Sequence, residues 1–220
     1  LRRVDEREAR IIATAVALAE QGGFEAVRLR DVASHAGVAL GTLYRHFRSK
    51  DDLLVAALAS EAAGLAERMA KHPPDGPTAL ERVTAYFAAA TRTLCRKPKL
   101  ARAVLRAASS DEPELAGKIR AFHGVAGELL VRAMRGDAHA TLDSASEHEI
   151  RVCTVLQHVW FAALIGWMSG LHKQSEVVAQ VRMAAELLLD CAGPGARTAA
   201  RHPHFAPLRV AARFACRERD

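Results

Sequence analysis

From Asp5 to Cys191 the apolar residues of this chain recur every three or four positions, and no run of β-branched residues alternates with polar ones. That spacing belongs to a helix of 3.6 residues per turn and not to a half-buried strand, whose apolar residues recur every two. Alanine, leucine, arginine and glutamate, all good helix formers, dominate the composition. The expected fold is all-α, with about nine helices.

The punctuation places these helices. A first helix is expected from about Asp5 to Gln21, ended by Gly22 and Gly23, because glycine accepts the left-handed conformation that helix C-termini favour. A second runs from about Arg30 to Ala36 and a third from about Leu40 to Phe47. Ser49 with Asp52 reads as a capping box opening a fourth helix to about Lys71. The segment from His72 to Pro77, with its prolines and Gly76, cannot continue a helix. Thr78 with Glu81 caps a helix to about Arg96, Pro98 restarts one to Ala108, and Pro113 sits in the first turn of another that reaches Arg135. Ser144 with Glu147 reads as the cap of a long apolar helix to Leu171, and a last helix spans Ser175 to Cys191.

Half of the 220 residues are hydrophobic, enough for a sizeable core, and the net charge of +6 permits a polyanionic partner without requiring one. Cys95, Cys153, Cys191 and Cys216 lie far apart and read as isolated thiols of a reducing compartment rather than a disulfide framework or a zinc site. The uncharged run from Cys153 to Leu171 is long enough to span a bilayer, but Gln157, His158 and Ser169 interrupt it, so a buried helix is expected and no membrane partner. No signal peptide is visible ahead of the first helix, and a cytoplasmic location is expected.

The segment from Gly37 to Lys50 carries the functional signal. An α-helix fits the major groove of B-DNA, and a helix-turn-helix places its second helix there. This requires a tight turn, a small core and polar side chains left on one face. Gly37 supplies the turn, Val32, Ala33, Ala36, Val38 and Leu43 a core, and Thr42, Tyr44, Arg45 and His46 an outward face, with Phe47 expected inside. Between Arg28 and Lys50 stand five basic residues and one acid, Asp31; phosphate neutralisation with counterion release would make that local excess useful.

These residues resemble a known family. Gly23-Phe24, Arg30 to Ala33, Ala36 to Val38, Gly41 to Tyr44, His46-Phe47 and Ser49 to Leu53 are similar to the N-terminal signature of TetR-family transcriptional regulators. The resemblance implies an all-helical homodimer with an N-terminal helix-turn-helix domain (residues 1–50) and a helical ligand-binding and dimerisation domain (residues 51–192). A basic tail (193–220) follows. Position by position, it implies a DNA-facing set of Arg28, Arg30, Leu40, Gly41, Thr42, Tyr44, Arg45, His46 and Lys50. Arg28 departs from the pattern, since family members often carry Thr or Ser there; arginine keeps a phosphate contact but loses the helix cap.

Two patches also resemble one branch, the repressors of steroid (cholesterol) catabolism: Gly22 to Val27 with Val38 to Arg45, and Val159-Trp160 to Trp167 ahead of Val181 to Leu189. Membership would imply a lipid or steroid-derived acyl-CoA thioester as the small-molecule inducer, with operator DNA released on binding it. Phe87, Leu105, Phe122, Leu129, Trp160, Phe161, Leu164 and Met168 are candidate liners of an apolar pocket, each of which also suits an ordinary core. No phosphate-binding loop, Gly-x-Ser-x-Gly or His-Glu-x-x-His motif is present, so no enzyme, cofactor or metal is expected; His202 and His204 in the tail are a weak metal hint. The alternatives are a family regulator of an unrelated ligand such as a drug, or a helical small-molecule carrier that retains the helix-turn-helix. The tail, with a charge of about +4, reads as a solvated terminus or an auxiliary DNA contact.

Overall fold

The computed structural model describes residues 6–190, with the side chain of Asp190 excepted. The first three helices are α1 (Glu6–Gly22), α2 (Leu29–His35) and α3 (Leu40–His46), and the long α4 (Lys50–Lys71) leads away from them. The body follows with α5 (Ala79–Cys95), α6 (Pro98–Ala108), α7 (Ala116–Arg135), α8 (Glu147–Met168) and α9 (Gln174–Asp190). Short 3₁₀ turns stand at Phe24–Ala26, Pro113–Leu115 and Leu142–Ser144, and no strand occurs among the described residues. The all-helical expectation is met.

Local chemistry sets the boundaries. Gly23, at φ 70°, ends α1 with its N–H on the Ala19 carbonyl. Thr78 and Glu81 form a complete capping box on α5. At α4 only half of the expected box exists: the Asp52 N–H donates to Ser49 Oγ, but the Asp52 carboxylate reaches one residue further back, to the Arg48 N–H at 3.0 Å. The cap of α8 is Ser146 with Glu149, not Ser144 with Glu147. Ser144 instead closes a 3₁₀ turn begun by Thr141, and α8 stops at Met168 rather than Leu171. Pro113 opens a 3₁₀ turn, and α7 proper starts at Ala116. Arg82 closes the far end of α7, donating to the carbonyls of Ala133 and Met134, which a helix terminus leaves without internal partners.

Two buried clusters organise the molecule. One joins Ile11, Ala15 and Ala19 of α1, Val32 of α2, Leu43 of α3 and Phe47 just after it to Leu53, Leu54 and Leu58 of α4, Leu100, Val104 and Leu105 of α6, and Leu164 of α8. The other gathers Leu65 of α4, Phe87 of α5, Leu130 of α7, Leu156 of α8 and Val181 of α9. The first cluster runs straight through residue 50 into α4 and α6. Trp160 packs against both, and its indole N–H donates to the buried Thr91 hydroxyl at 2.9 Å. By length and composition α8 could cross a bilayer; here it packs on α7 and α9.

Candidate nucleic-acid interface and body cavities

α2 ends in a Schellman arrangement. Gly37 adopts φ 64° and donates to the Ser34 carbonyl, while the Val38 N–H returns to Ala33. That geometry turns the chain tightly into α3. Burial of Leu43 and Phe47, with Val38 and Leu40 half-buried beside them, fixes which side of α3 faces inward. The opposite side presents Gly41, Tyr44 and Arg45. No atom lies within 4 Å of where a Gly41 Cβ would stand, and Tyr44 keeps 50% of its surface. Arg45 Nη2 donates to Thr42 Oγ1 at 3.0 Å, holding the guanidinium along this face.

Arg28 and Arg30 at the start of α2, with Arg48 after α3, are exposed and make no side-chain hydrogen bond to a described residue. Arg28 precedes α2 without capping it, as its side-chain chemistry dictates. The other members of the DNA-facing set are placed differently. Leu40 is a packing residue. His46 is half-buried, its Nδ1 3.7 Å from Glu8. Lys50 donates to the Phe24 carbonyl at 3.2 Å, stands 4.1 Å over the Phe24 ring and lies 3.9 Å from Glu25.

The first three helices are bolted to the body. Lys97, just before α6, pairs with Glu20, whose hydrogen bond raises the Lys97 pKa, while on α6 Lys99 donates to the Gln21 carbonyl and Arg106 pairs with Glu25 at 3.0 Å. A second junction sits directly behind α3. Ser49 Oγ donates to Glu112 at 2.7 Å, and Lys118 of α7 pairs with Asp52 while standing 5.2 Å from the Phe47 ring centre. Burial, reinforced by Glu112, raises the neighbouring Asp51 carboxyl above its ordinary range.

The residue after Lys118, Ile119, lines two body cavities. One, of about 350 Å³, is a cleft between α7 and α8 walled by Ile119, His123, Gly127, Leu142, Cys153 and Gln157. The other, of about 250 Å³, is lined by Leu58, Leu105, Phe122, Trp160, Phe161 and Leu164. Ile119, His123 and His158 belong to both walls. Five of the eight residues singled out as pocket liners thus meet around the second cavity. Leu129 lines a small void of about 40 Å³ and a separate groove of about 320 Å³ beside Arg82 and Arg132, and Met168 lines an open groove beside Phe24 and Arg106. Phe87 lines none of these cavities: it is a core ring, fully buried between Tyr86 and Trp160.

The polar wall residues His123 and Gln157 escaped the sequence reading. Their signal was a polar side chain interrupting an apolar helix face. Burial pushes the Cys153 thiol up to about 12 and that of Cys95 up to about 11, so both stay neutral and inert. No cluster of metal-ligating side chains occurs among the described residues; Cys191, Cys216, His202, His204 and the basic tail lie outside them.

This architecture has known counterparts. Residues 11–57 match the model of bacterial regulatory proteins of the tetR family, and residues 76–188 that of the tetracyclin repressor-like C-terminal domain. The chain belongs to the TetR family. It is a DNA-binding transcriptional regulator. Among its relatives is the HTH-type transcriptional repressor KstR of Rhodococcus jostii, 36% identical over 192 residues that cover 87% of this chain and 85% of the relative. The KstR repressor of Mycobacterium tuberculosis is 30% identical over 184 residues, covering 84% and 81%. The fold is shared with a TetR transcriptional regulator from a Rhodococcus species, at TM-score 0.74 and 24% identity over 83% of this chain and 95% of that one. It is also shared with Thermus thermophilus FadR in complex with lauroyl-CoA, at TM-score 0.63 and 19% identity over 90% and 99%.

Proposed function

We propose that the protein is a homodimeric repressor of lipid or steroid metabolism genes, held on operator DNA until a steroid-derived or long-chain acyl-CoA thioester enters the body. In this reading residues 1–50 read DNA, 51–192 bind the ligand and dimerise, and 193–220 are an accessory tail of a cytoplasmic protein. Arg28, Arg30, Arg48 and the Gly41–Tyr44–Arg45 face meet the duplex. The repressor relatives and the acyl-CoA held by a protein of the same fold support the choice of ligand. So does the apolar lining of the two cavities, whose sizes are close to the lower end of the roughly 300–1,000 Å³ of typical ligand sites.

The observation that carries the mechanism is the adjacency of Lys118 and Ile119 on α7. Ile119 lines both cavities while Lys118 holds Asp52 behind the recognition helix, so a ligand that displaces this turn of α7 pulls on the base of α3. Dimerisation uses the apolar face that α8 and α9 leave uncovered, where Val155, Met183 and Leu187 are 42%, 59% and 68% exposed. Two recognition helices must meet successive major grooves about 34 Å apart. A ligand favouring another spacing, with a coupling of about 1–3 kcal/mol, weakens operator binding roughly 5- to 150-fold.

The test is binding of the purified protein to its own upstream DNA, with and without steroid and long-chain acyl-CoA thioesters. Specific, salt-sensitive binding released by one thioester supports the reading. Specific binding that none of them releases removes the ligand assignment, and absence of specific binding removes the operator assignment.

A further inference from the structure

We propose that His123 and Gln157 form a polar reader that selects ligands carrying a neutral oxygen, a hydroxyl or a ketone, on an otherwise apolar skeleton. The inference rests on the ligand-binding reading above and concerns the same cavities. His123 Nδ1 and Gln157 Oε1 lie 2.7 Å apart, joining α7 to α8 in the wall of the first cavity, the one that both residues line. Gln157 is 7% exposed, and around the pair the wall sets apolar Ile119, Leu142 and Ile150 beside three further polar residues, Arg120, Thr154 and His158. Packing alone does not call for this pair, because two apolar side chains of similar shape would fill the space without desolvating polar groups.

The pair also has bonding capacity left over. A neutral imidazole donates from one nitrogen and accepts at the other. When Nδ1 donates to Gln157, His123 Nε2 retains a lone pair. The Gln157 amide nitrogen, 3.6 Å from where a Gly127 Cβ would stand, keeps its N–H groups. Turning the amide over changes the tautomer in step, and Nε2 then donates. The wall thereby presents a donor or an acceptor, matching a hydroxyl or a ketone. A plain hydrocarbon at the same place leaves those groups without partners. A hydrogen-bonding site discriminates strongly against an analogue that lacks the bonding group.

The experiment compares two matched series of thioesters on the full-length protein: 5β-cholanoyl-CoA against its 3-hydroxy and 3-keto derivatives, and stearoyl-CoA against 12-hydroxystearoyl-CoA. Binding is followed by the fluorescence of the two tryptophans, one of which, Trp160, lines the second cavity. In one series the oxygenated member should bind roughly 10- to 100-fold tighter than its deoxygenated match. In His123→Phe and Gln157→Leu that ratio should fall close to one, with the deoxygenated ligand binding at least as tightly as to the wild type. A merely structural role would weaken all members alike and leave the ratio intact, and Gln157→Leu decides alone if the histidine variant does not fold. Equal wild-type affinity for oxygenated and plain ligands would falsify the reader while leaving the ligand site standing. If no member of either series binds, the ligand-binding reading falls with it.

Discussion

Lys118, on the helix that walls both cavities, closes an ion pair on Asp52, whose other carboxylate oxygen accepts the Arg48 N–H just beyond the recognition helix. One buried carboxylate thus ties the base of α3 to α7. Removing Lys118 leaves Asp52 with a single backbone donor. Lys118→Met should therefore cost about 1–2 kcal/mol, discounted for the partial exposure of the lysine, and lower Tm by roughly 2–8 °C. Its diagnostic effect is on coupling: the ratio of operator affinities without and with inducer should shrink towards one, measured by DNA titration. An unchanged ratio would remove Lys118 from the transmission path.

Arg45 and Tyr44 share the exposed side of α3, but only Arg45 offers a fork of donors suited to a base edge. Arg45→Ala should cost about 1–3 kcal/mol on the matched operator and flatten base preference. Tyr44→Phe and Arg28→Ala should weaken all sequences alike, and Arg28→Ala should reduce the salt slope by about one. Equal losses for Arg45→Ala on matched and mismatched duplexes would assign it to phosphate instead.

Met183→Glu with Leu187→Glu puts two carboxylates on the uncovered face of α9, away from the buried Val181 and Ala185. The monomer should fold with an unchanged helical spectrum. Sedimentation should show half the wild-type mass, and operator affinity should drop by more than about 10-fold as the two half-sites lose their linkage. A variant that stays dimeric would place the interface elsewhere.

Glu149 receives two hydrogen bonds from Arg135 and caps α8 through Ser146, and these hold its pKa down at about 2. A carboxylate depressed on folding stabilises the protein above its unfolded pKa near 4.5, and that contribution disappears as pH falls through about 2. Glu149→Gln should cost about 1–2 kcal/mol at neutral pH. It should also flatten the dependence of Tm on pH between 4.5 and 2 relative to wild type. Parallel curves for the two proteins would show that the pair contributes nothing net.

Helix order and the exposed side of α3 were legible because they rest on local rules. Gly37 demands a left-handed turn, and the alternation of Leu43 and Phe47 with Tyr44 and Arg45 declares which side of α3 is outer. The start of α8 was misjudged because two Ser-x-x-Glu patterns overlap, Ser144 with Glu147 and Ser146 with Glu149, and only tertiary contact selects between them; Arg135, arriving from α7, takes both Ser144 and Glu149. Lys50 carries the charge of a phosphate contact, and the structure adds what the sequence did not show, that its ammonium rests on the carbonyl and ring of Phe24, 26 residues upstream. Cavity walls were the least legible part. Phe87 and Phe122 carry the same side chain, and whether one fills the core while the other borders a void depends on which helices converge there.

The buried cluster that passes through residue 50 bears on how such regulators can be recombined. Grafting a new operator specificity by splicing at the end of α3 would sever Leu43 and Phe47 from Leu53, Leu54 and the α6 side chains that complete their packing. A working chimera has to carry the opening turns of α4 with the donor's α1–α3, and to match Lys97 and the face of α6 that presents Lys99 and Arg106. Exchangeable specificity in this architecture is therefore a property of the outward residues of α3, and rewriting those few positions disturbs less than transplanting the whole module.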